Sequence, residues 1–231
     1  MSGIAIITAR GGSKRIPKKN IRPFAGKPIV AWSIEAALLS GVFDEVMVST
    51  DSEEIADIAR RYGASVPFLR SAENSGDHAA TADVIREVLE QYRETGKTFD
   101  TFLCLYPTAP FVTAERLKEA QQLLERRGSD AVVTAVKFSF PVQRGFVLRD
   151  GFLAYRWPEY RAARSQDLEP LYHDAGQFYL VRTEAFLREQ TVVPAKTTPL
   201  ILPETQVQDI DNEEDWVIAE MKFRRLRETG V

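Results

Sequence analysis

Seven Lys or Arg residues and no acid stand between positions 10 and 27, in a chain whose 30 basic and 33 acidic residues otherwise nearly balance. Within that stretch Gly11-Gly12-Ser13 lets successive backbone N–H groups turn toward one anion, while Arg10, Lys14 and Arg15 bring full positive charges around it. A polyphosphate suits this chemistry. The spacing is neither G-x-x-x-x-G-K-[ST] nor G-x-G-x-x-G, so two common phosphate motifs are excluded. A solvated basic turn, or a nuclear-localisation or RNA-binding patch over residues 14–19, is the competing reading. Near the other end Asp209 and Asp211 flank Ile210. Residues two apart in an extended segment point to one side, so both carboxylates can face one magnesium ion shared with substrate phosphates. Asp211 with Glu214 three residues on also has the form of a helix N-cap, whereas Asp209 has no such alternative. Asp51 is a secondary metal candidate that equally suits the cap of a helix starting near Ser52.

These residues need a scaffold, and the apolar pattern supplies one. Strand-like runs alternate with amphipathic stretches, the order of βαβ units on a largely parallel sheet. Residues 4–7, 46–48, 102–105, 131–136 and 177–181 read as strands, 66–68 as a short edge strand and 199–202 as extended. Residues 29–39, 52–61, 81–92, 113–127, 183–189 and 212–229 read as helices. Ligands of open α/β sheets bind beyond the carboxyl ends of strands, and the basic loop directly follows the first strand. The alternation breaks after residue 137. Aromatics, prolines and arginines then mix without helical period, and residues 146–155 around Asp150-Gly151 read as a hairpin. Residues 138–173 are therefore expected to form an inserted excursion within one domain covering residues 1–231.

At 231 residues and 44% hydrophobic, the chain has enough apolar material for one substantial core. A net charge of −3 points to neither nucleic acid nor an anionic membrane surface, so anion affinity must be local. The single cysteine, Cys104, sits in an apolar run and reads as a reduced, buried residue, with a reactive thiol as the alternative. The first apolar run, residues 4–7, is too short for a signal peptide, and no later run is long enough for a membrane span. A cytoplasmic protein without membrane or nucleic-acid partners is expected.

The run Ala9-Arg10-Gly11-Gly12-Ser13-Lys14-Arg15-Ile16-Pro17-Lys18-Lys19-Asn20-Ile21, followed by Phe24 and Gly26-Lys27-Pro28, resembles the signature loop of the acylneuraminate cytidylyltransferase family. Val48-Ser49-Thr50-Asp51-Ser52-Glu53-Glu54-Ile55-Ala56, Tyr62-Gly63-Ala64, Phe68-Leu69-Arg70 and Asp209-Ile210-Asp211 extend the likeness over nearly the whole chain. Tyr106-Pro107-Thr108-Ala109-Pro110-Phe111 and Asp174-Ala175-Gly176-Gln177-Phe178-Tyr179 most resemble the pseudaminic acid branch. The resemblance implies a Rossmann-like nucleotidyltransferase fold, an α/β three-layer sandwich with a mainly parallel sheet and a small inserted dimerisation arm. It implies a homodimer that transfers CMP from CTP to the anomeric hydroxyl of an acidic nine-carbon sugar, releasing pyrophosphate with Mg2+ as cofactor. Arg10, Gly11, Gly12, Ser13, Lys14 and Asn20 are then expected at the CTP phosphates or ribose, and Arg70 and Thr81 near the base and sugar. Lys14, Arg10 and Asp211 are the expected catalytic groups; Asp209 and Asp211 match the family's metal-binding aspartates. On its own residues, Arg70 also reads as a surface arginine and Thr81 as a helix cap.

A sugar carboxylate calls for arginine and an acetamido sugar for aromatic walls, and the excursion has both. Arg144, Arg156, Arg161 and Arg164 interleave with Phe140, Phe146, Tyr155, Trp157 and Tyr160, a composition that equally suits a subunit contact. Tyr106, Arg144, Asp174, Gln177 and Tyr179 are the sugar-site candidates, the last two because residues two apart on a strand share a face. Tyr106 replaces the glutamine usual in sialic acid synthetases, which disfavours N-acetylneuraminate. No general base is unambiguous: His173, Asp174 or a metal-bound hydroxide would serve, and His78 has no assigned role. A glycosyltransferase is disfavoured by a D-x-D so near the end of the chain. A non-catalytic phosphate- or RNA-binding module is disfavoured by charge confined to one patch.

Overall fold

The computed structural model of the chain describes residues 1–76 and 79–229; His78 lies outside them. In chain order the elements are β1 (Gly3–Thr8), β2 (Pro23–Phe24), β3 (Lys27–Pro28), α1 (Ile29–Ser40), β4 (Glu45–Ser49), α2 (Glu53–Arg61) and α3 (Thr81–Glu94). They continue with β5 (Thr101–Leu105), α4 (Ala114–Arg127), β6 (Ala131–Lys137), β7 (Phe146–Arg149), β8 (Phe152–Tyr155), β9 (Tyr172–Arg182), α5 (Thr183–Glu189), β10 (Thr197–Ile201) and α6 (Glu213–Thr229).

A six-stranded sheet in the order β10-β6-β9-β5-β1-β4 forms the middle layer, and all its pairings are parallel except those of β9 with β5 and β6. The strands read as continuous apolar runs because both faces are covered. On β1, Ala5 and Ile7 face a cluster shared with Val30, Ile34, Ile55 and Leu117 of α1, α2 and α4. Ile4 and Ile6 face the opposite cluster, with Ile85, Val88 and Tyr92 of α3 and Phe186 of α5. This is a three-layer α/β sandwich. A third cluster joins Phe24 of the β2–β3 ribbon to Trp216 and Phe223 of α6, and so fastens the C-terminal helix to the basic loop.

Two expectations need correction, and one alternative falls. Residues 66–68 form no strand: a single bridge pairs Ser65 with Met47, and Pro67, which lacks an N–H, follows it. The strand expected at 177–181 starts at Tyr172 and runs antiparallel, so Tyr172 and His173 belong to the sheet and not to the excursion. A side-chain pattern of period two does not encode strand direction. Cys104 is fully buried, and burial pushes its thiol up to about 12, which removes the reactive-thiol reading. The expected hairpin is present as β7–β8, with Asp150 (φ 51°) and Gly151 (φ 83°) in the left-handed conformation such a turn requires.

Candidate functional site

The loop after β1 is held at both of its shoulders. The Ala9 N–H donates to the Ser49 carbonyl at 2.9 Å, and the Gly11 N–H to Asp51 Oδ1 at 2.7 Å. Farther on, the buried Asn20 amide donates to the Arg10 carbonyl at 2.8 Å, closing the loop across its base. The three amides of Gly11-Gly12-Ser13 do not all face one anion, because Gly11 donates to Asp51 and Ser13 to the Gly11 carbonyl at 3.0 Å. Side chains, more than the backbone, thus carry the positive charge of this loop. Asp51 is neither a cap nor a lining residue here: the cap of α2 is Ser52, whose hydroxyl accepts from the Ile55 N–H at 3.5 Å.

Beyond the carboxyl ends of β1 and β5 opens a cleft of about 320 Å³. Arg10, Ser13, Lys14, Arg15, Lys19 and Asn20 line it from the loop, Arg70, Asn74 and Gly76 from the segment after β4, Thr81 from α3, Tyr106 after β5, and Asp209 and Asp211 before α6. The segment at Asn74 and Gly76 is pinned by Glu87, whose carboxylate accepts from the Ser71 N–H at 2.7 Å and from the Asn74 amide. Arg10 donates to the Gly76 carbonyl at 3.3 Å.

Arg70 is not a surface arginine. It is 8% exposed, its Nη2 donates to the Ser49 carbonyl at 2.6 Å and its Nε to Ser49 Oγ at 3.0 Å. Burial lowers its pKa, opposed by the charges of Asp51 and Glu87. Thr81 does not cap α3, whose N-cap is Ala80; its hydroxyl lies 3.4 Å from the Tyr106 hydroxyl. Tyr106 packs edge-on against Tyr179 with centroids 5.8 Å apart, and burial raises its pKa. The Tyr179 hydroxyl donates to Asp174, whose other oxygen accepts from the Gly176 N–H at 2.8 Å.

Between Val133 and Ala135 the pairing of β6 with β9 slips, and the bulge puts Gly176 in the left-handed conformation (φ 61°). A Cβ there would lie 3.7 Å from the Asp209 carboxyl carbon, so the bulge is the floor on which Asp209 rests. The bulge also breaks the alternation that was to put Gln177 and Tyr179 on one site. Gln177 is buried with its amide donating to the Gln206 carbonyl at 2.8 Å, and it does not line the cleft. Asp174 and Tyr179 stand behind Tyr106, and Arg144 sits in the excursion beside Ser165 at 3.5 Å; none of the three lines the cleft.

Asp209 and Asp211 do share the cleft. Burial first, and then the charge of Asp211, raise the Asp209 carboxyl above its usual range. Asp211 Oδ1 accepts from Arg15 at 2.8 Å, and Lys19 stands 3.7 Å away. Lys19 also donates to the Ile210 carbonyl at 2.5 Å, and burial lowers its pKa against the pull of both aspartates. Sequence reasoning had not singled Lys19 out of its basic run. The cap of α6 is not Asp211: Asn212 Oδ1 accepts from the Asp215 N–H at 3.0 Å, and the Asp215 carboxylate accepts from the N–H groups of Asp211 (2.9 Å) and Asn212 (3.0 Å). Asn212→Ala is therefore expected to lower unfolding stability by about 1 kcal/mol while Asp211 keeps its place. Thermal denaturation measured beside turnover checks this.

Two carboxylates of like charge, one of them half-buried, suit a hard divalent cation that completes its shell with substrate oxygens. Among the described residues no third carboxylate, histidine or cysteine joins them in a cluster able to hold a metal by itself.

The sequence pattern of the family described as Cytidylyltransferase matches residues 4–221. The chain is 40% identical over 231 residues to a pseudaminic acid cytidylyltransferase of Campylobacter jejuni, covering all of both chains. It is 36% identical to a CMP-N,N'-diacetyllegionaminic acid synthase of Legionella pneumophila, covering 99% of this chain and 98% of that one. Among solved structures, a CMP:2-keto-3-deoxy-manno-octonic acid synthetase complexed with CTP shares the fold, with a TM-score of 0.69 at 16% identity, covering 99% of this chain and all of the other.

Proposed function

Because the chain belongs to the cytidylyltransferase family, we propose that it transfers CMP from CTP to the anomeric hydroxyl of a nonulosonic acid, pseudaminic acid before its isomers. The observation that carries this reading is one cleft lined by four loop cations, Arg10, Lys14, Arg15 and Lys19, and by Asp209 and Asp211 on the facing segment. In this reading the cations take the triphosphate. Arg70 and Thr81 face the nucleoside, with Arg70 fixed by two hydrogen bonds to Ser49 before any ligand arrives.

The sugar hydroxyl oxygen forms a bond to the α-phosphorus and releases its proton to water as the bond from that phosphorus to the bridging oxygen of the β-phosphate breaks, and pyrophosphate leaves with that oxygen. Lys14 and Arg10 stabilise charge on the departing phosphates. Asp209 and Asp211 would hold Mg2+, which when bound neutralises phosphate charge. Asp174 has its carboxylate engaged by the Gly176 N–H and the Tyr179 hydroxyl, so its role is to brace the Tyr106 wall and not to take the sugar's proton.

Residues 138–171, between β6 and β9, serve in this reading as a dimerisation arm. Leu148, Phe152 and Leu153 are each more than 70% exposed on the β7–β8 hairpin, a surface that favours burial against a second copy. Leu148→Asp combined with Phe152→Asp is expected to turn a dimer into a monomer in light scattering. A wild-type chain that is already monomeric would remove the arm's assignment. The reaction belongs to the cytoplasm, in keeping with the reduced, buried state assigned to Cys104.

The test is pyrophosphate release from CTP and Mg2+ with pseudaminic, legionaminic or N-acetylneuraminic acid. Release is expected to be fastest with pseudaminic acid. Preference for another of the three would correct the sugar, and no release with any nonulosonic acid would overturn the function.

A further inference from the structure

The end of β4 and the residues after it hold both the basic loop and the buried arginine of the cleft. Ser49 accepts from the Ala9 N–H and from Arg70, the Thr50 carbonyl accepts from the Arg70 N–H at 2.8 Å, and Asp51 accepts from Gly11 at 2.7 Å. Gly11 lies close against this segment: a Cβ there would stand 3.2 Å from the Ser52 Cβ and 3.6 Å from Asp51 Oδ1. Gly12, its neighbour, has nothing within 4 Å of such a Cβ and no left-handed backbone. A side chain at the first glycine of the pair would thus push Ser52 aside, whereas one at the second meets no neighbour among the described residues.

An acid beside an anion-binding loop is electrostatically adverse, since its field weakens the binding of phosphate. Asp51 is not among the residues lining the cleft, and its Oδ1 is taken by the Gly11 N–H. A hydrogen bond from a backbone N–H to a carboxylate is stronger than a neutral one, and it sets the direction of the chain as it leaves β1. We propose that Asp51 is a positioning residue for the nucleotidyl transfer: by anchoring the Gly11 N–H to the end of β4, it fixes the basic loop in register with Arg70, so that loop and arginine receive CTP together.

This rests on the reading of the loop as a triphosphate site, and the test separates the two. CTP affinity is measured by calorimetry, and KM and kcat from pyrophosphate release, for the wild type and for Asp51→Ala, Asp51→Asn and Gly11→Ala. Each variant's thermal transition is recorded beside it. Absence of CTP binding by the wild type would overturn the loop's assignment itself. With wild-type binding present, Asp51→Ala and Gly11→Ala are each expected to raise Kd and KM for CTP about tenfold, the loss of one such anchoring bond, with kcat changed less. Asp51→Asn, which keeps an oxygen acceptor, is expected to stay within about threefold of wild type.

Equal damage from Asp51→Asn and Asp51→Ala would show that the charge matters and not the bond, and would overturn the proposal. So would wild-type affinity in Asp51→Ala. If Asp51→Ala does not fold, the pair Gly11→Ala and Asp51→Asn decides: equal affinities in those two overturn it.

Discussion

Asp209→Ala is expected to cut pyrophosphate release by about 10²- to 10³-fold, the scale on which loss of a group that stabilises transition-state charge is felt, without unfolding the protein. The second half of this expectation follows from its pKa. Burial and the neighbouring Asp211 raise the Asp209 carboxyl above 3.8, so the folded state binds its proton more tightly than the unfolded state does. Stability is therefore lost as pH rises from the unfolded pKa through the folded one, and at neutral pH the charged Asp209 is a net cost to the fold. Removing it should leave the midpoint of thermal unfolding unchanged or slightly raised.

A structural acid would behave in the opposite way, losing stability and activity together. Binding of Mn2+, followed by its paramagnetic signal, should weaken as pH falls through the raised pKa of Asp209, and should drop sharply in the alanine variant at all pH values. An Asp209→Ala enzyme with wild-type turnover would take this residue out of the proposed cation site.

Trp216→Ala should produce the largest loss of stability, about 3–5 kcal/mol by urea denaturation, the range for truncating a buried aromatic side chain. Trp216 is 2% exposed, meets Phe24 edge-on at 5.5 Å and lies under the Arg22 guanidinium at 4.5 Å. Its indole N–H donates to Glu220 at 3.1 Å. Arg22 also pairs with Glu213 at 2.7 Å. This cluster joins α6, which follows directly on Asp209-Ile210-Asp211, to the ribbon that ends the basic loop. Its loss is expected to raise KM for CTP as well as to destabilise the chain. Trp216→Phe, which keeps a ring against Phe24, should lose less of both. A change below about 1 kcal/mol in the alanine variant would show that α6 is held by other contacts.

Residue patterns alone placed every helix to within a few positions, because apolar spacing reports which face of an element is buried and little else is needed. They could not report on β9. Its direction is set by the excursion, which returns the chain to the same end of the sheet that β6 left, and its bulge depends on pairing with a strand some forty residues away. Arg70, Thr81 and Asp211 each had a local explanation available, as a surface cation, a cap and another cap. Each was decided by partners distant in sequence: Ser49 for Arg70, Tyr106 for Thr81 and Arg15 for Asp211. Asn212 took the capping position one residue beyond the place where the pattern put it.

By itself, then, the sequence determined the class of fold, the concentration of charge after the first strand, and the pair of acids near the C-terminus. These are matters of composition and period, which a linear text retains. Only the tertiary structure decided which glycine of the pair lies close against Ser52, that Gly11 is tied to an acid 40 residues away, and that an arginine of the basic loop meets an aspartate 196 residues away across one cleft. Such facts are absent from any local window because hydrogen bonds and ion pairs depend on distance in space, and the sheet together with the cluster of Phe24, Trp216 and Phe223 brings those segments together.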